Sequence, residues 1–294
     1  MDGFILINKP KNWTSYDIIR VLKNLFNVKK IGHSGTLDPF AEGLLIVGIN
    51  KATKFIEFLM NLPKEYIAKV KFGSETDTLD IDGEIINCDN NFKLNGKILE
   101  IAINDFPKNY EQIPPKFSAK KFDGKRAYEL AREGRNFELK PKLVSIYDLR
   151  IESIDEVNNE AIFYLKVSSG FYVRSFARDL ANKMGTFGYL LELKRIAIGN
   201  FKLEDAHSIN DKEFKLISID TALDFIEKIE ILDCRKFKNG QITTYKYKDG
   251  IYRVYCDSNF LGIGKVENNL LKPLKVLTLL CPINNVKLLI VNNL

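Results

Sequence analysis

The run Ile31-Gly32-His33-Ser34-Gly35-Thr36-Leu37-Asp38-Pro39-Phe40-Ala41-Glu42-Gly43-Leu44-Leu45 constrains this chain more than any other stretch. Gly32, Gly35 and Gly43 loosen the backbone, while Pro39 stiffens it and biases Asp38 away from helix toward an extended conformation. The following Leu44-Leu45-Ile46-Val47-Gly48-Ile49 reads as a buried strand. Asp38 is therefore expected on an irregular segment, presented rather than packed. Such Gly/Ser/Asp/Pro stretches also make ordinary surface turns. A carboxylate on a kinked loop beside a buried strand is, equally, a place for reactive chemistry.

The length of 294 residues suits one large domain or a large and a small one, and 45% hydrophobic residues suffice for a core. The formal charge of +6 is unevenly spread: residues 1–31 carry +4, residues 108–150 carry +5 and residues 231–294 carry +6, so the remainder is acidic. Basic surface gathered in separate segments is the footprint a nucleic acid selects. Cys88, Cys234, Cys256 and Cys281 are far apart with no Cys-x-x-Cys pair. That suggests neither zinc nor a redox pair, and predicts unpaired buried thiols in a reducing compartment. No leader pattern or membrane-length apolar run is present, so a soluble, cytoplasmic protein is expected.

Along the chain, Phe4 to Ile7 reads as a strand stopped by Asn8-Lys9-Pro10, with Thr14 or Ser15 capping a helix that buries Ile18, Ile19 and Leu22. Ala52 to Leu59 reads as helix. Tyr66, Ala68, Val70 and Phe72 alternate along a strand with one polar side. Thr76-Asp77-Thr78-Leu79-Asp80-Ile81-Asp82-Gly83 is acidic, but its spacing fails the calcium-loop pattern, so a hydrogen-bonded loop is expected. A helix is expected over Ile98 to Phe106. From Gln112 to Tyr128, two prolines precede Lys and Arg interleaved with aromatics, a composition that can neutralise phosphates and stack on bases. Leu143–Ile154 and Ala161–Ser168 read as an antiparallel pair. A helix follows from about Val173 with Arg174 near its start, where the helix dipole disfavours a cation unless a carboxylate partners it. Leu190–Gly199 reads as a strand, Leu216–Ile229 as a last helix, and from Ile231 short β-like runs alternate with turns.

Residues 32–45, GHSGTLDPFAEGLL, resemble the catalytic loop of the TruB family of pseudouridine synthases, which make pseudouridine in the T-loop of tRNA. Further stretches are similar to family segments: Lys9-Pro10, Lys64-Glu65-Tyr66, the acidic loop at 76–83, Gln112-Ile113-Pro114-Pro115, Gly170-Phe171-Tyr172-Val173-Arg174 and Leu193-Lys194-Arg195. The resemblance implies Asp38 as nucleophile, Arg174 as its ion-pair partner and Tyr66 stacked on the target base. It implies His33 as a wedge filling the space of the flipped base, with Tyr172 and Leu193 lining the pocket. Lys9 is a further candidate for RNA contact, set against a solvated strand-end lysine. The acidic loop is given a supporting role. An insertion at about 112–140, with Lys120, Lys121, Lys125 and Arg126, is implied to clamp the T-stem-loop of tRNA.

The implied fold is α+β: a mixed, mainly antiparallel sheet with flanking helices over residues 1–229, then a small PUA-like β domain over 230–294. The implied partner is tRNA alone, with a monomer, no cofactor and no metal. The basic segments alone would equally suit a non-catalytic tRNA folding chaperone. An aspartate-nucleophile hydrolase would want metal ligands or a second placed acid, and no such cluster is visible in the sequence.

Overall fold

The computed structural model describes residues 1–117, 121–122, 125–126, 139–277 and 287–289. β1 (Gly3–Lys9), β3 (Glu42–Ile49) and β4 (Lys64–Phe72) form where apolar continuity or alternation predicts strands, while β2 (Ile31–His33) is a short strand in a run expected to be irregular. β5 (Ser74–Thr76) and β6 (Ile85–Cys88) make a small hairpin. β7 (Asn109–Gln112) leads to β8 (Lys121–Phe122) and β9 (Lys125–Arg126), which pair with each other. β10 (Lys142–Asp155), β11 (Glu160–Val167), β12 (Gly188–Ile198) and β13 (Phe201–Lys202) complete the strands of the main sheet.

That sheet has nine strands in the order β1-β3-β12-β4-β11-β10-β7, with β2 on β3 and β13 on β12. Its pairings are antiparallel except one: β3 and β12 run parallel, matching Glu42 with Lys194 and Gly43 with Arg195. Two antiparallel halves thus meet at a parallel seam, and the Asp38 loop enters the sheet there. Gly43 has φ +114°, and a Cβ on it would stand 2.3 Å from the Arg195 carbonyl oxygen. Only glycine lets the two backbones approach this closely.

Each half has its own core. Tyr66, Ala68, Val70 and Phe72 of β4 pack with Phe163 and Leu165 of β11 and with Phe176 and Leu180 of α4 (Val173–Lys183), one of the helices flanking the sheet. In the other half, Ile5 and Ile7 meet Leu45, Val47 and Ile49 beneath Ile18 and Leu22 of α1 (Ser15–Leu25). Thr14 caps α1 through a reciprocal box with Asp17, which satisfies two otherwise orphaned amides. The 52–59 stretch is a 3₁₀ turn over Asn50–Phe55 followed by α2 (Ile56–Met60). α3 (Gly96–Asn104) falls where its periodicity predicts.

The expected helix at 216–229 is not formed. Ile217 bridges to Phe4, only one helical turn, α5 (Ile219–Ala222), follows, and Lys228–Glu230 is a strand, β15. The apolar residues of that stretch suit either form, and tertiary pairing decided. β14 (Glu213–Lys215) pairs with the C-terminal β20 (Lys287–Leu289). The C-terminal unit is a five-stranded, PUA-like sheet in the order β15-β17-β18-β19-β16, from β16 (Thr243–Thr244), β17 (Gly250–Cys256), β18 (Asn259–Glu267) and β19 (Leu270–Val276). It seats Phe260 and Ile263 against Phe4, Leu44 and Phe55 of the larger unit.

The cysteine expectation is corrected for three of the four thiols: Cys234, at the start of α6 (Cys234–Lys238), is disulfide-bonded to Cys256 at the end of β17, and Cys88 is free but exposed, while Cys281 lies outside the described residues. The parallel pairing of β15 with β17 carries the chain after β15 past the end of β17, a juxtaposition that sequence spacing does not reveal. No helix among the described residues is long and apolar enough to cross a membrane.

Gly43→Ala forces the seam apart and imposes a left-handed φ on alanine. The expected cost is at least about 2 kcal/mol, read as a lower urea midpoint from the fluorescence of Trp13, the single tryptophan. An unchanged midpoint would mean that the seam does not require close approach.

Candidate active site

The Asp38 loop is held from three sides. Ser15 Oγ accepts from the Leu37 amide at 2.9 Å and donates back to the Leu37 carbonyl at 3.1 Å. The Lys9 ammonium donates to the carbonyls of Trp13 at 2.7 Å, Pro10 at 3.0 Å and Pro39 at 3.3 Å. Arg195, from β12, donates to the carbonyls of Leu44 at 2.8 Å, Gly35 at 3.2 Å and Thr36 at 3.4 Å. Backbone amides of Ala41 and Asn12 reach the Asp38 and Pro39 carbonyls, and the buried cations supply further donors to carbonyls of the loop.

Asp38 is 31% exposed at its side chain and faces Arg174, which is 5% exposed. Arg174 Nη2 donates to Asp38 Oδ1 at 3.0 Å, and Nε lies 3.0 Å from Oδ2 without an in-line N–H. This is an ion pair on both carboxylate oxygens with one well-directed hydrogen bond. The guanidinium also donates from Nη1 to the Thr78 carbonyl and from Nη2 to the Phe117 carbonyl, each at 2.9 Å. Its Nη1 stands 3.2 Å from Asp80 Oδ2. Arg174 lies in the first turn of α4, where its charge opposes the helix dipole. Two carboxylates offset that.

Asp80 was given only a general supporting place in its acidic loop. In the structure it is buried, accepts from Thr78 Oγ1 at 2.6 Å and from the Asp82 amide at 3.1 Å, and contacts Arg174. Burial pushes its carboxyl up, against the Thr78 hydrogen bond and the Arg174 charge that pull it down. The Thr-x-Asp spacing at 78–80 was the available signal for it.

Asp38 and Arg174 line a cleft of about 410 Å³, together with Tyr66, Tyr172 and Leu193. Tyr66 and Leu193 are neighbours across β4 and β12 and are both nearly buried, so they offer an apolar wall beside a charged floor. The volume suits a small polar ligand with one flat apolar face. His33 ends β2 next to Ser34 at the edge of the cleft but does not line it. Its Nδ1 accepts from the Gly35 amide, and burial, then the Arg195 charge, push its imidazole down. Of the basic insertion, Lys120 lies outside the described residues. Lys121, Lys125 and Arg126 are described only as backbone, in β8 and β9.

Lys9 departs from both of its expectations. It is fully buried, and its three N–H donors are taken by carbonyls, so it has none left for a phosphate. It ties the end of β1 to the Asp38 loop. Burial pushes its ammonium from 10.5 to about 8, against the raising pull of Asp38. An unfolded chain therefore binds the extra proton between those values, so this group makes the folded protein gain stability as pH rises through that window. A Lys9→Met variant is expected to lose that part of the rise in urea midpoint between pH 8 and 10. Parallel pH profiles would mean that Lys9 is solvated.

Comparison with known proteins gives a consistent picture. The model of the TruB family pseudouridylate synthase N-terminal domain matches residues 23–173, and that of the pseudouridine synthase II TruB C-terminal domain matches residues 233–277. A tRNA pseudouridine synthase B from Aquifex aeolicus is 40% identical over 289 residues, covering 94% of this chain and 100% of its own. One from Ureaplasma urealyticum is 47% identical over 208 residues, covering 70% of this chain and 90% of its own. Among solved structures, an H/ACA ribonucleoprotein bound to a substrate RNA containing 2′-deoxyuridine has a TM-score of 0.69 at 18% identity, over 93% of this chain and 84% of that one. An archaeal Nop10–Cbf5 complex has a TM-score of 0.67 at 19% identity, over 93% and 85%. These two likenesses concern the fold alone. The matched domains and the near-complete coverage of curated relatives make this chain a member of the TruB family of pseudouridylate synthases.

Proposed function

We propose that this pseudouridine synthase isomerises a uridine in the T-loop of tRNA, at position 55, with Asp38 as nucleophile. The observation that carries the reading is the Asp38 carboxylate, held by Arg174 at the floor of a cleft walled by Tyr66 and Leu193. Relatives named tRNA pseudouridine synthase B support tRNA as the substrate.

A uridine inside a folded loop must leave its stack to reach this cleft, at a cost of a few kcal/mol. Tyr66 stacks against the extruded ring, and Tyr172 and Leu193 close around it. His33, at the edge, wedges into the space the base vacates. Asp38 attacks the ribose or the ring, the N1–C1′ bond breaks, the uracil turns, C5 bonds to C1′, and the bond between Asp38 and the substrate breaks to return the free carboxylate. C5 then loses its proton and N1 gains one, so the reaction is an isomerisation without redox change. Arg174 holds Asp38 charged side inward, and Asp80 holds Arg174.

Phosphate attraction offsets the unstacking cost. A second groove, of about 620 Å³, runs beside α1 and is lined by Arg20, Lys23, Lys29 and Lys30. These cations, with the insertion at about 112–140, form the electrostatic surface for the tRNA arm. We read residues 1–229 as the catalytic domain and 230–294 as an RNA-binding domain, in a cytoplasmic monomer that needs no cofactor.

Unmodified tRNA incubated with pure protein and EDTA is expected to gain pseudouridine in the T-loop, mapped at single-nucleotide resolution. Asp38→Asn should still bind tRNA and lose at least about three orders of magnitude in rate. Binding without product in the wild type would favour a folding chaperone, and a requirement for metal would favour hydrolytic chemistry. Arg174→Lys keeps the charge but loses the planar fork, and should lower single-turnover rate by about 10- to 100-fold.

A further inference from the structure

The lining of the catalytic cleft is unbalanced in charge. Among its described residues stand four cations, Lys64, Lys142, Arg174 and Arg195, and one carboxylate, Asp38. Asp38 is engaged by Arg174. The other three cations have only backbone carbonyl partners among the described residues. Lys64 donates to the carbonyls of Met60 and Leu62, which leaves one of its three protons unused. Arg195 directs three of its five N–H groups to carbonyls. Lys142 has one long contact, 3.5 Å, to the Ser169 carbonyl.

These three side chains converge because strand ends do. Lys64 opens β4 and pairs with Val167 at the end of β11, with Ile198 of β12 on its other side. Lys142 opens β10 and lies across Gly170, whose φ is +80° and whose missing Cβ would stand 2.1 Å from the Lys142 ammonium. Burial, then the charges of Arg195 and Lys142, push the Lys64 ammonium from 10.5 to about 8. A second observation is independent of charge. The hydroxyl of Ser34, in the same lining, belongs to a residue 1% exposed and has no hydrogen-bond partner among the described residues. A buried hydroxyl without a partner costs free energy unless a ligand supplies one.

We propose that Lys64, Lys142, Arg195 and Ser34 form a subsite for one RNA backbone phosphate adjoining the target uridine. The inference rests on the RNA-modifying reading above and names the part of the substrate that this side of the cleft takes. A phosphodiester brings one negative charge and two non-bridging oxygens, which match a cluster of unused N–H and O–H donors. A uracil ring offers no charge to offset three cations. Lys142, the exposed member, closes over the phosphate; Lys64 and Arg195 receive it from rigid strands. Gly170 keeps the path of Lys142 open.

The test couples one side chain to one phosphate. T-stem-loop RNAs carry a neutral methylphosphonate linkage either immediately 5′ or immediately 3′ of the target uridine. A 2′-O-methyl ribose precedes that linkage, and matched phosphodiester controls carry the same ribose. Dissociation constants are measured by fluorescence anisotropy for wild type and Lys142→Gln, an exposed change that leaves the core intact. One of the two neutral linkages is expected to weaken wild-type binding about tenfold, as loss of a charged hydrogen bond does. The same linkage should make little further difference in Lys142→Gln, because both changes remove one interaction. On unmodified RNA, Lys142→Gln should raise KM about tenfold with kcat nearly unchanged, the mark of lost uniform binding. Independent, additive losses at both linkages, or no loss at either, would overturn the subsite while wild-type product formation leaves the synthase reading standing. No binding and no product in the wild type would overturn both.

Discussion

One guanidinium joins what the rest of the molecule is built to bring together. Arg174 touches Asp38 from the loop before β3, Asp80 from the acidic loop after β5, and the carbonyls of Thr78 and Phe117. A nearly buried cation at the wrong end of a helix is costly by itself, and removing the guanidinium would leave Asp38 and Asp80 without the cation they share. Its value is therefore orientation more than stability. A planar fork has few ways to satisfy two carboxylates at once, so it fixes the direction of each.

The same economy recurs around the Asp38 loop. The kinked segment satisfies only part of its carbonyls with backbone amides, Ala41 to Asp38 and Asn12 to Pro39. Lys9 and Arg195 add donors from β1 and β12, and among the described residues these two buried cations have carbonyl rather than carboxylate partners. Arg195 sits at the register where β3 and β12 run parallel, opposite Gly43. The seam that joins the two halves of the sheet thus also shapes the loop that bears the candidate nucleophile. On the far side of the cleft the charge excess remains, among Lys64, Lys142 and Arg195, facing the space a substrate would enter.

Much of this was readable residue by residue. A cap at Thr14 or Ser15, the period of α1, the alternation along β4 and the β10–β11 pair were predicted by local rules, since those signals lie within a few residues of one another. The need of Arg174 for a carboxylate was also legible, because a helix start disfavours a cation wherever it stands. Other features were not. The 216–229 stretch carries apolar residues that suit helix or strand, and only its neighbours Phe4 and β17 decide. Lys9 looks like a solvated lysine until Pro10, Trp13 and Pro39 fold around it. Asp80 reads as one acid among several, and Cys234 and Cys256 as unrelated thiols 22 residues apart.

What the chain by itself determined is thus most of the elements before residue 216 and the presence of a presented aspartate on a broken loop, because periodicity, capping and proline stereochemistry act over short separations. What only the tertiary structure decided is which groups meet. Asp38 and Arg174 are 136 residues apart, and Arg195 reaches Gly35 across 160. Contacts over such separations follow from strand order and register, above all from the parallel seam at Gly43, and no local pattern encodes them.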